Sequence, residues 1–163
     1  MDANTQLLKI GLDDHVQCAV DMDFANRVFT EEEMRKTLAA EFGDLVTAVK
    51  QKAPENYRLV VGHRCKANGR EFVHLILKSP QTTLSLVMTR KDGESFTRDE
   101  LAAVLESSGA PIYEARLKDL EVAGFETRDY FGFVISNLGR SDHLQMALTL
   151  APTIREFLTK EKV

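Results

Sequence analysis

Residues 57–91, YRLVVGHRCKANGREFVHLILKSPQTTLSLVMTRK, decide the fold. At their centre, Ala67-Asn68-Gly69-Arg70 is a hairpin signal, because a type I′ turn needs positive φ at both middle positions. The turn predicts strands over Tyr57 to Lys66 and Glu71 to Lys78. Ser79-Pro80-Gln81 turns the chain again, and Thr82 to Lys91 makes a third antiparallel strand. With Asn68 and Gly69 at the turn, Ala67 faces Arg70, Cys65 faces Phe72 and His63 faces His74. Residues i and i+2 share a sheet face, so His63, Cys65 and His74 converge. Opposed Cβ atoms lie about 5 Å apart, a gap that one metal ion can bridge. A slip of one residue would undo the pairing.

Working outward, Thr30 to Glu33 is a capping box. Met34, Leu38, Phe42, Leu45 and Val49 follow at helical spacing, with Gly43 a point of bending and Pro54 the stop. Thr97 to Glu100 is a second capping box, which predicts a helix over Leu101, Val104 and Leu105 ending at Gly109 and Pro111. Residues 112–138 read as one or two strands and a hairpin, with the turn at Thr127 to Asp129. Ser141 or Asp142 caps a last helix carrying Leu144, Leu148, Ile154, Phe157 and Leu158, which Pro152 should kink or divide. Residues 1–12 are a loosely ordered lead-in, a short strand or a short helix. The pattern lacks regular β-α-β alternation. It predicts one α+β domain over residues 1–163, an antiparallel sheet of about five strands with three or more helices.

The chain has two cysteines, and each stands beside a histidine: His15-Val16-Gln17-Cys18 and His63-Arg64-Cys65. Asp13 or Asp14 caps a helical turn that puts His15 and Cys18 at i and i+3 on one face. The two aspartates could instead orient the His15 ring. Thiolate with imidazole is a zinc or copper ligand set, so His15, Cys18, His63, Cys65 and His74 are the candidate ligands, with zinc ahead of copper. Two other readings stay open. A Cys18–Cys65 disulfide would leave no metal, and the thiols and imidazoles could simply be buried and inert. A variant holds metal when reduced and releases it on oxidation. His143 is expected to be exposed at a helix start, and Met22, Met88 and Met146 to be core residues.

At 163 residues, net charge −4 and pI about 5.6, the composition is globular and carries no nucleic-acid footprint. No apolar run approaches the roughly 18 residues of a membrane span. There is no G-x-S-x-G, G-x-G-x-x-G, P-loop or H-E-x-x-H motif, and no nucleophile–base–orienter set, so an enzyme is not expected. A small metalloenzyme or electron carrier ranks last, and a module stapled by a disulfide ranks between.

Two stretches, Tyr57 to Lys78 with Thr83 to Arg90 and Val122 to Leu138, together with Asp13 to Val20, resemble the extracytoplasmic C-terminal domain of bacterial transmembrane anti-sigma factors. Those proteins place a cytoplasmic zinc-binding anti-sigma domain before one membrane helix and this kind of domain after it. The resemblance covers most of residues 10–160. It implies that His15, Cys18, His63, Cys65 and His74 recur together as a set. It further implies a periplasmic signal-receiving role, with the rest of the anti-sigma factor and, through it, a sigma factor as partners. The cytoplasmic H-x-x-x-C-x-x-C segment and the membrane helix are not in this sequence. The chain is therefore expected to be an excised sensor domain or a stand-alone relative, with no sigma binding, nucleic-acid contact or membrane insertion of its own. A homodimer through the last helix is compatible with the pattern.

Overall fold

The computed structural model describes residues 2–21, 27–97, 103–107 and 110–160. The elements in chain order are α1 (Ala3–Asp14), a π-helical segment (His15–Asp21), α2 (Glu31–Lys52), β1 (Arg58–Ala67), β2 (Arg70–Lys78), β3 (Thr83–Arg90), β4 (Ala103–Ser107), β5 (Ala110–Leu117), β6 (Leu120–Glu126), β7 (Tyr130–Ser136) and α3 (Arg140–Lys160). All pairings are antiparallel, in the order β1-β2-β3-β7-β6-β5-β4. Two meanders, β1–β3 and β4–β7, thus join where β3 pairs with β7.

The fold is α+β on an antiparallel sheet, as the sequence predicts, with seven strands where about five are expected. Its centre is covered on both faces. Leu75, Leu77, Leu84, Leu86 and Val134 pack under α2 and α3. Val87, Phe131, Phe133 and Ile135 pack under Leu7, Leu8 and Leu12 of α1. Double coverage explains why β7 is buried at every position and reads as a continuous apolar run.

The hairpin is the one the turn chemistry dictates. Asn68 and Gly69 have φ of 53° and 78°, and the register pairs Ala67 with Arg70, Cys65 with Phe72 and His63 with His74. Thr30 and Glu33 form the capping box, and α2 runs unbroken past Gly43 to Lys52.

Some expectations are corrected by the structure. Val104 and Leu105 lie in strand β4, not in a helix; the rest of that prediction, residues 98–102 and Gly109, lies outside the described residues. Asn4 holds the Thr97 backbone on both sides: Thr97 N–H donates to Asn4 Oδ1 at 2.8 Å, and Asn4 Nδ2 donates to the Thr97 carbonyl at 2.7 Å. Pairing of β4 with β5 outweighs the local propensity. Residues 3–12, where a loose lead-in was one expectation, are helical: Asp2 caps α1 by accepting from Thr5 N–H, and Leu7, Leu8 and Leu12 are buried.

At the other end, α3 starts before Ser141, with His143 N–H donating to the Gly139 carbonyl at 2.9 Å. That shift draws His143 inward. It is fully buried, its Nδ1 2.6 Å from Ser136 Oγ. Pro152 sits inside α3 without dividing it. One helical hydrogen bond is lost there; Leu150, Ala151, Ile154 and Leu158, packed on the sheet, hold both halves down. Met88 and Met146 are core residues, as expected, and Met22 lies outside the described residues. No helix among the described residues is long and apolar enough to cross a membrane.

Candidate metal centre

Strand β1 at the sheet edge presents His63 and Cys65 to the α1 side, and β2 adds His74 beside His63. The π-helical segment brings Cys18 over them from the N-terminus. One ligand atom from each of Cys18, His63, Cys65 and His74 lies within 4.8 Å of the other three. Cys18, His63 and His74 are buried and Cys65 is half-buried. The His63 and His74 rings are 5.6 Å apart between centroids. Both cysteines are free thiols.

His15, the fifth candidate, is not in this group. The expected turn with His15 and Cys18 on one face would aim both at the hairpin. Instead the residue four before Cys18 shares its side: Cys18 Sγ lies 3.4 Å from Asp14 Oδ1. His15 turns to β3, where its Nδ1 lies 2.7 Å from Ser85 Oγ. The π-helical segment continues α1, and such geometry is rare and tends to occur at functional sites.

Asp14 is the residue that sequence reasoning undervalued. It does not cap a turn, and its side chain is fully buried. Cys65 Sγ donates to Asp14 Oδ1 at 2.9 Å, and Asp14 Oδ2 lies 3.1 Å from His74 Nδ1. The i, i+4 spacing of Asp14 and Cys18 was the available signal. Ser85 was also missed. It pairs with Ile76, which places it diagonal to His74 on the same face, and its Oγ lies 2.7 Å from His74 Nε2.

The protonation states fit together. Burial would raise the Asp14 pKa, but contact with His74 and the two thiols outweighs it and holds the carboxyl below its usual range. Burial would equally lower His74, and Asp14 outweighs it, so His74 is raised. His15 and His63 are pushed down to about 4, by burial first and then by the charge on His74. The two thiols are pushed apart: Cys18 falls to about 7, chiefly through its contact with Cys65, while Cys65 is raised by that contact and by burial. In this arrangement His74 Nε2–H donates to Ser85, and Ser85 Oγ–H donates to neutral His15 Nδ1.

The donors suit a thiophilic metal. His74 Nδ1 is fully buried and makes no hydrogen bond of good geometry. With Nε2–H held by Ser85, Nδ1 is the lone-pair nitrogen once its proton leaves. His63 Nδ1–H donates to the Arg64 carbonyl at 3.2 Å, which assigns the lone pair to Nε2. Two thiols and two imidazoles are a tetrahedral zinc ligand set.

Asp14, His74 and Ser85 also follow the order of a hydrolase triad. Ser85 is fully buried, however, and its hydroxyl is engaged by two imidazoles. No family model, curated protein or solved structure matches this chain.

Proposed function

We propose that this chain is a sensor domain that binds one thiophilic metal ion, zinc before copper, through Cys18, His63, Cys65 and His74. The observation that carries the reading is the mutual approach of four ligand atoms within 4.8 Å from two distant parts of the chain. One ligand comes from the segment that follows α1, and three come from the β1–β2 hairpin. Metal binding would therefore tie the N-terminal segment to the sheet edge. Its loss would loosen that tie, which makes the segment a two-state element that a signal can bias. In the metal-free state Asp14 accepts from the Cys18 and Cys65 thiols and pairs with His74, and those ligands give up their protons when metal enters.

The resemblance to extracytoplasmic domains of transmembrane anti-sigma factors gives the sensor its context. In that setting the domain works on the periplasmic side and acts on transcription indirectly, through the anti-sigma factor that carries it. It performs no catalysis of its own.

A second reading rests on the two thiols. Cys18 and Cys65 are within 4.8 Å, and Cys18 ionises near neutrality. An oxidant that takes two electrons from the pair would close a disulfide and remove both sulfur ligands.

Cobalt titration of the reduced chain tests the metal reading. Intense thiolate-to-cobalt absorption at one equivalent is expected, together with slower deuterium uptake in residues 3–21. Absorption without sulfur-to-metal character, or uptake in 3–21 unchanged by metal, would contradict it.

A further inference from the structure

The same strands that carry the cluster on one face carry an open groove on the other. Along β1, His63 and Cys65 alternate with Arg64 and Lys66, which line a cavity of about 740 Å³ on the α2 side. That volume is in the range of small-ligand sites. Val73 and Met88 form its floor, and Phe42 of α2 and Tyr130 of β7 stand beside them, meeting edge-to-face at 6.3 Å. Each ring carries a guanidinium: Arg64 lies 5.5 Å over Phe42 and Arg90 lies 4.8 Å over Tyr130.

The charges around the groove are not equivalent. Arg64 pairs with Glu41 at 3.3 Å, Arg70 with Glu94 and Lys91 with Glu126. Arg90 meets no carboxylate within ion-pair distance among the described residues, although Glu71 and Asp92 also stand on the wall. Lys66 likewise makes no ion pair among the described residues and faces Glu71 across the hairpin. A flat cation stacked on an aromatic ring keeps its N–H edge for a carboxylate or phosphate, and the apolar floor beside it suits a hydrocarbon body.

We infer that this groove is a binding site for a small organic anion, one carboxylate or phosphate on an apolar body, anchored by Arg90. Cys65 stands between Arg64 and Lys66 on the strand that borders the groove, but its side chain belongs to the opposite face, with the cluster. The inference stands apart from the metal reading, because Arg90, Val73, Met88 and Tyr130 are not among the cluster's residues.

The test uses the full chain, metal-free and with zinc, titrated with 1-naphthyl phosphate and 1-naphthoate and followed by amide chemical shifts. Neutral 1-naphthalenemethanol is the comparator. Saturable shifts at residues 64, 73, 88, 90 and 130 are expected below about 1 mM. The better of the two anions identifies the head group. Arg90→Gln, a change at an exposed position, should weaken binding tenfold or more while leaving the spectrum elsewhere unchanged. Absence of saturable shifts with both anions overturns the inference. So does equal binding of the neutral comparator, or undiminished binding by the Arg90→Gln chain.

Discussion

Cys65 Sγ lies 2.9 Å from Asp14 Oδ1, a contact across 51 residues that joins the edge strand to the end of α1. The same carboxylate reaches Cys18 and His74, so one buried charge holds three of the candidate ligands in the metal-free state. Asp14→Asn keeps the size and removes the charge. Because His74 then loses its buried counterion, the metal-free protein should lose about 3 kcal/mol. Urea unfolding of the chelator-treated variant measures this; a loss under about 1 kcal/mol would mean that Asp14 does not hold the cluster.

Zinc should stabilise the fold by binding the native state. At a hundredfold excess over the dissociation constant the gain is about 2.7 kcal/mol, or roughly 5–10 °C in Tm for a chain of this size. Cys18→Ser or His74→Gln should abolish the shift, and His15→Gln should largely keep it, because His15 lies outside the group of four ligands. Differential scanning fluorimetry with and without zinc separates these outcomes.

Gly11 tests how α1 is seated. A Cβ there would come within 2.8 Å of Phe133 Cβ and Cδ2, so the helix cannot keep its place against β7. Gly11→Ala should cost roughly 3 kcal/mol. It should also weaken zinc binding, since Asp14 ends the same helix and Cys18 follows in the π-helical segment. Unfolding and zinc titration of one sample check both. An unaltered zinc affinity would show that the site forms independently of α1.

His143 sets a pH dependence away from the cluster. Burial pushes its pKa down to about 4 from an ordinary 6.5. The unfolded chain therefore binds the proton first. As pH falls from 6.5 to 4, stability should fall, by up to about 3 kcal/mol from this residue. Buried His15 and His63 act in the same direction. In His143→Gln the slope of stability against pH in this window should shrink by close to one proton, about 1.4 kcal/mol per pH unit. An unchanged slope would show that His143 is not the neutral buried imidazole described above.

What could be read in the sequence follows from range. Asn68-Gly69 fixes a turn, the turn fixes the register, and the register places His63, Cys65 and His74 together. Thr30 to Glu33 specified a helix start because both capping-box bonds are local. Thr97 to Glu100 carries the same local signal, yet residues 103–107 downstream pair with β5 as strand β4, a long-range partnership that no capping box announces. The π-helical segment was also hidden, since it depends on how α1 packs, and it exchanges His15 for Asp14 as the neighbour of Cys18. Buried polar pairs such as His143 with Ser136 leave no mark on hydrophobic periodicity.

Native mass spectrometry of reduced chain given one equivalent of zinc, compared with the Cys18→Ser/Cys65→Ser variant, tests the central claim most directly. The account predicts one bound zinc, with loss of the protons displaced from the ligands, and none retained by the variant. A metal-free mass for the parent chain, or zinc held equally by the variant, would contradict it.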